Sequence, residues 1–217
     1  MKMEWLGHAS MLLTSSEAVR IVTDPYEAGA FALNYAPIDA EADIVTVSHD
    51  HPDHNNVSVI RGKPDVVKGG GLHNVRGVTF QGIDCYHDES SGSLRGKNTI
   101  FCFTLDGIRV CHLGDLGHAL TLEDEAQISQ VDVLLIPVGG NFTIEAGVAA
   151  DTCRRLNPRV VIPLHYRNER CPDFPVAQVE NFLALMDEVR WTHRTELELH
   201  KDSLPDKTEV VVLEPAF

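Results

Sequence analysis

The sequence lacks any paired-cysteine motif. Its five cysteines, Cys85, Cys102, Cys111, Cys153 and Cys171, are scattered, odd in number and never spaced C-x-x-C. That pattern fits reduced thiols that serve as small core residues better than a disulfide framework or a cysteine metal site. No apolar run approaches the ~18 residues that a membrane helix needs, so no bilayer span is expected. Basic residues are in deficit: 18 Lys and Arg stand against 32 Asp and Glu, a formal charge of −14. Affinity for polynucleotides comes largely from cations that displace counterions from phosphates, so a long nucleic acid is a poor partner, and acidity by itself reads as serving solubility. Repeats, low-complexity tracts and compositional shifts are also missing. With 217 residues the expectation is one domain, 1–217, built on one full-sized core. Glu4 and His8 interrupt the opening stretch where a signal peptide needs an unbroken apolar run, which makes cytoplasm the expected compartment.

What is present begins with short β-rich runs. Glu4 to Leu6, Ser10 to Leu13, Val19 to Asp24 and Ile44 to Ser48 read as strands, and strands then alternate with helices. Val78 to Ile83, Ile100 to Leu105 and Ile108 to Leu113 are the next strands, with Asp106-Gly107 as a two-residue hairpin signal. Thr121-Leu122-Glu123-Asp124 has the form of a capping box opening a short helix to about Gln130. Val133 to Pro137 follows as a buried strand. Ala146, Ala149, Ala150, Cys153 and Leu156 recur at helical spacing behind a candidate Thr143 cap. Val160 to Leu164 is another strand, Val176, Val179, Leu183 and Met186 form a helical stripe after Pro175, and Val210 to Leu213 closes as a strand. This order implies an α/β layered architecture.

The chemistry-bearing stretch is Ser48-His49-Asp50-His51-Pro52-Asp53-His54, directly after a predicted strand. If the chain stays extended through His51, His49 and His51 point to the same side and can reach one ion. Pro52 should then fix a turn that presents Asp53 and His54 in helix-like geometry beside a second ion. Imidazole suits zinc, iron and other borderline metals, whereas carboxylate tolerates harder ions such as manganese. His87, Asp115 and His165 each follow a predicted strand. Ligands in α/β sheets gather outside the carboxyl ends of strands, so these three are expected to meet His49 at one edge.

With these residues in place the sequence resembles the metallo-β-lactamase superfamily. Its H-x-H-x-D-H signature is matched by His49, His51, Asp53 and His54, and its later motifs by His87, by Asp115 in Gly114-Asp115 and by His165 in Pro163-Leu164-His165-Tyr166. Trp5-Leu6-Gly7-His8-Ala9-Ser10, Gly114-Asp115-Leu116-Gly117-His118 and Pro137-Val138-Gly139-Gly140 look like the branch of small metal-dependent hydrolases related to L-ascorbate-6-phosphate lactonase. The resemblance implies an αββα sandwich and two divalent ions, zinc first, with manganese or iron as alternatives. It implies that His49, His51 and His87 hold one ion, that Asp53, His54 and His165 hold the other, and that Asp115 bridges them. Asp53 and Asp115 carry the catalytic expectation. Two ions ~3.5–4 Å apart share a water and lower its pKa towards ~7, which implies hydrolysis of a small ester, lactone or phosphodiester by hydroxide.

Other residues have weaker claims. Asp24, in Thr23-Asp24-Pro25, is expected to orient ligand histidines by accepting an N–H, or else to start a turn. His8, His112 and His118 either orient ligands or are structural histidines, with His118 favoured for its nearness to Asp115. Gly69-Gly70-Gly71 reads as a turn. Arg95-Gly96-Lys97-Asn98-Thr99 reads as a charged loop tip, from which Arg95 or Lys97 can meet an anionic substrate. Phe142 either walls the pocket or sits in a tight strand-to-helix turn. A small-molecule substrate is expected and the oligomeric state stays open. The competing readings are a non-catalytic metal-binding protein, a dinuclear-iron redox protein on the same scaffold, and a nuclease, against which the acidic balance counts.

Overall fold

The computed structural model describes all 217 residues. Its strands are β1 (Lys2–Gly7), β2 (Ser10–Thr14), β3 (Arg20–Thr23), β4 (Ile44–Val47), β5 (Asp65–Lys68), β6 (Gly71–Val75), β7 (Val78–Tyr86), β8 (Lys97–Leu105), β9 (Ile108–His112), β10 (Val133–Pro137), β11 (Val160–Leu164), β12 (Val189–Trp191), β13 (Glu196–Glu198) and β14 (Glu209–Val212). They form two sheets, one in the order β13-β1-β2-β3-β4-β5 and one in the order β12-β14-β11-β10-β9-β8-β7-β6. Alternation along the strands divides the apolar residues between layers. Met3, Trp5, Ile21 and Ile44 of the first sheet join Phe80, Phe101 and Phe103 of the second in the main core, while Leu6, Val22, Val45 and Val47 face a smaller cluster with Tyr26, Leu33 and Phe174. Central β10 and β11 are buried at every position, as a parallel pair covered on both faces requires.

Two helices pack against the second sheet, α1 (Leu122–Ile128) and α2 (Ala146–Leu156). The outer face of the first sheet is instead covered by irregular chain, including Tyr35, Ile38 and Cys171. Thr121 caps α1 as expected: its hydroxyl accepts from the Asp124 N–H while the Asp124 carboxylate returns to the Thr121 backbone. The expected Thr143 cap of α2 is not formed. Glu145 occupies the cap position without a side-chain bond, and Thr143 N–H instead reaches back towards the Gly140 carbonyl within the preceding turn. The stripe from Val176 to Met186 also gives less helix than its spacing predicts, only the single turn α3 (Glu180–Leu183). The residues before it have other backbone partners: Ala177 N–H donates to Gly139 and its carbonyl accepts from Arg167, so Val176 packs from irregular chain and Val179 from the cap position of α3.

The Asp106-Gly107 turn is formed with φ positive at both residues, 52° and 74°, the geometry that a tight hairpin needs. All five cysteines are free and buried. No helix is long and apolar enough to cross a membrane. Strand direction matters most for the site. β9, β10 and β11 run parallel, and β8 is antiparallel to both β7 and β9, so β7, β9 and β11 all end at the same edge. Residues 87, 115 and 165 leave that edge together.

Candidate metal centre

The segment after β4 does not stay extended. It bends from Ser48 to Asp50 and closes a turn in which the His51 carbonyl accepts from both His54 and Asn55, so Asp53 and His54 do sit in helix-like geometry after Pro52. His49 and His51 still meet, with Nε2 of the first 3.1 Å from Nδ1 of the second. The seven expected residues come together. His49, His51 and His87 form one compact set of potential donors, and His8, Asp53, His54 and His165 form an adjacent one. Asp115 lies between them: its Oδ2 is 3.3 Å from Nε2 of His54, of His87 and of His165, and 4.0 Å from that of His49.

This arrangement concentrates charge in a buried space. Burial acts against the charged form of His54, but Asp115 and Asp53 outweigh it and hold its pKa well above the usual imidazole value. Burial would likewise raise Asp115, and His165 and His54 pull it well below the carboxylate range. His49 is lowered to about 3 and His8 to about 4, chiefly by burial, so both rings are neutral with lone pairs to offer. Asp53 Oδ1, Asp115 Oδ1, His54 Nε2, His87 Nδ1 and His165 Nδ1 are buried atoms without a hydrogen-bond partner in the protein. The two carboxylate oxygens and His54 Nε2, together with the Nε2 atoms of His49, His87 and His165 gathered about Asp115, make a nitrogen and carboxylate set that fits borderline divalent cations.

Neighbouring residues fix the tautomers. The Asp24 carboxylate accepts from the Ser48 N–H at 2.8 Å, from the Ser48 hydroxyl and from the His54 Nδ1–H at 2.9 Å. Since the Ser48 proton goes to Asp24, the His49 Nδ1–H must donate to Ser48 Oγ, 2.9 Å away. Both His49 and His54 thereby aim Nε2 at the cluster, bare in neutral His49 and, in His54, able to coordinate once a cation displaces its proton. His8 reaches Asp53 Oδ2 at 3.3 Å and packs against His165 with ring centroids 4.4 Å apart and planes tilted by 43°. His8, Asp24 and His165 all carry positive φ, 51°, 37° and 52°, a conformation costing roughly 1–3 kcal/mol each that persists only under constraint. His118 behaves differently from expectation: it accepts from the Tyr86 N–H and donates to Ala119, and touches none of the seven. His112 is fully buried with neither ring nitrogen bonded.

Three contributors were not singled out in the sequence. Ser48 is the relay just described. Asn98, expected within a loop, is instead a buried residue of β8 whose Oδ1 accepts from the Asp115 N–H at 3.0 Å and whose amide donates to the Leu113 carbonyl. Asp88 accepts four backbone N–H groups of the loop that follows His87. A buried asparagine that sets backbone has no composition signal, although an Asp immediately after a candidate ligand histidine was available to notice. Gly114 is part of the same construction. At φ +54°, a Cβ there would stand 2.5 Å from both Asn98 Oδ1 and Ser48 Cβ. We expect Gly114→Ala to cost about 1–3 kcal/mol of stability through overpacking, read by chemical denaturation; an unchanged midpoint would show that the loop relaxes freely.

Comparison with known proteins agrees with this geometry. The family model of the β-lactamase superfamily domain matches residues 2–165. A crystal structure of a candidate zinc-dependent hydrolase of the metallo-β-lactamase superfamily from Thermotoga maritima is 37% identical, covers 98% of each chain and superposes with a TM-score of 0.82. A protein of Methanoculleus marisnigri named as a metal-dependent hydrolase is 32% identical over 76% of this chain and 81% of its own. One of the same name from Thermococcus onnurineus is 26% identical over 99% and 96%. The two-sheet architecture is thus the α/β sandwich of the metallo-β-lactamase type, and the chain belongs to the metallo-β-lactamase superfamily, standing among its metal-dependent hydrolases.

Proposed function

We propose that the protein is a dinuclear metal-dependent hydrolase of a small ester, lactone or phosphodiester. The observation that carries this reading is the Asp115 carboxylate, with one oxygen 3.3 Å from three histidine Nε2 atoms drawn from three different elements. His49, His51 and His87 would hold one ion and Asp53, His54 and His165 the other, with Asp115 shared. Zinc suits this imidazole-rich set best, manganese and iron next. Two ions so placed would supply hydroxide at neutral pH and polarise the scissile oxygen of the substrate.

The chain's own residues do the rest. Asp24, through His54 directly and through Ser48 to His49, keeps the coordinating nitrogens aimed inwards. Asp53 lines the cavity with a side chain 10% exposed, against 3% for Asp115, and although burial would raise its pKa, His54 and His8 hold it well below the carboxylate range, so it is the accessible anion beside the substrate. His8 steadies that carboxylate from behind. The cavity over the cluster is about 360 Å³, a size for a small molecule. Its scale and the surplus of acidic residues both favour a small-molecule substrate over a polynucleotide.

The reading is tested by metal analysis of purified protein together with turnover of generic esters, lactones and phosphodiesters. Two ions per chain and turnover of at least one class are expected. One ion or none, or two ions with no turnover of any class, overturns it.

A further inference from the structure

We infer that Arg95 anchors an oxyanion on the substrate, so that the substrate is a small ester or lactone carrying a carboxylate or phosphate on an apolar body. This rests on the hydrolase reading and narrows it. Ten residues line the cavity above the cluster. Five belong to the histidine and aspartate set, four are Phe31, Phe142, Phe174 and Pro175, and the remaining one is Arg95. One cation set in an otherwise apolar wall is a recognition feature for an anion with an apolar flank.

Arg95 is free to play that part. No carboxylate lies in ion-pair range of its guanidinium, whereas Lys68 beside it is taken by Asp50 at 2.7 Å. One Nη2–H donates to the Asn141 carbonyl at 3.2 Å, and the guanidinium carbon lies 5.6 Å from the centroid of the Phe142 ring. Of the five N–H groups that a guanidinium carries, most remain for a ligand, in the fork geometry that matches carboxylate or phosphate. The aromatic face and the carbonyl also fix its direction. Arg95 lines the neighbouring cleft of about 600 Å³ as well, and so stands where the two spaces join.

The backbone behind it is held in place. Asp88, next to His87, accepts from the N–H groups of Ser90, Gly92, Leu94 and Arg95 itself, the last at 2.7 Å. Gly92 and Gly96 supply the positive φ that lets the loop close around that carboxylate. The loop therefore links a cluster histidine to the cation at fixed spacing, and preorganisation of this kind reduces the ordering cost of binding. Phe31, 59% exposed although it lines the cavity, completes an apolar rim for the body of the ligand.

Two measurements test this. The first compares 4-nitrophenyl hemiglutarate with the neutral 4-nitrophenyl valerate on metal-loaded protein. Wild type should favour the anionic ester by about 10-fold or more in kcat/KM, Arg95→Met should bring the ratio to about one, and Arg95→Lys should retain part of it. The second titrates metal-free protein with 3-phenylpropionate and with 3-phenylpropionamide by calorimetry. The acid should bind at least about 10-fold more tightly in wild type and no more tightly in Arg95→Met, and competition by inorganic phosphate or by acetate tells which oxyanion the site prefers. Turnover of both esters with equal efficiency, or an anion preference that survives in Arg95→Met, overturns the inference and leaves the hydrolase reading standing. Failure to turn over either ester while Arg95-dependent binding of the acid persists overturns ester hydrolysis and leaves Arg95 as an anion anchor.

Discussion

Asp115→Ala should lower turnover of the best substrate by about 10²–10³-fold or more and reduce the metal content below the two ions per chain of the proposed centre. The magnitude follows from position. Asp115 is the one carboxylate whose oxygen lies within 3.3 Å of nitrogens from both donor sets, His87 on one side and His54 and His165 on the other. Its place is set from the backbone, by Asn98 and by the tight Gly114 turn, so no neighbour can move in to substitute. Truncation also leaves His54 facing fewer carboxylates. Stranding one partner of a buried pair costs roughly 3–5 kcal/mol, an upper limit here because the ring can shed its proton. A thermal melt run alongside the assay therefore separates loss of chemistry from loss of fold. Asp53→Ala should lose turnover too. Wild-type turnover and two bound ions in both variants would remove Asp115 and Asp53 from the mechanism.

The convergence of these side chains was legible because each lies just beyond a strongly apolar strand. Val133 to Pro137 and Val160 to Leu164 were readable to the residue, since central parallel strands are apolar at every position. Once β7, β9 and β11 are taken as parallel, His87, Asp115 and His165 must share an edge. Asp24 was readable for a related reason, as an aspartate closing a strand next to the one that feeds His49. What escaped was either peripheral or local. β5, β6, β12 and β13 are short or largely exposed, so their alternation carries little hydrophobic signal; β12 is exposed at all three positions. β13 adds a difficulty, because it pairs with β1 in the first sheet while β12 and β14 belong to the second, a crossing that no local pattern announces. His118 misled through nearness in sequence. The chain turns after Asp115, and the ring ends up on the Tyr86 backbone.

Asp24 supports a second large prediction because it acts on both halves of the site. Asp24→Asn preserves shape and volume, yet should weaken metal binding by about 10–100-fold. Asp24 uses both oxygens as acceptors, Oδ1 for the Ser48 N–H and Oδ2 for the Ser48 hydroxyl and the His54 Nδ1–H. An amide offers one oxygen and one NH2, so in either orientation a donor must face a donor. Placed towards His54, the NH2 would favour the tautomer with its proton on Nε2, the atom that must be bare to coordinate. Ser48 would rotate as well, and His49, which donates to it, would lose its fixed tautomer. On the proposed ligand assignment both ions should be affected, one through each histidine. The buried mismatch itself should cost about 1–3 kcal/mol of stability. Competition with a chromophoric chelator measures the affinities, and the histidine Nε2 and Nδ1 resonances of the metal-free protein report the tautomers directly. If Asp24→Asn binds both ions as tightly as wild type with unchanged tautomers, the histidines are oriented by packing alone and Asp24 serves only to close the turn before Pro25.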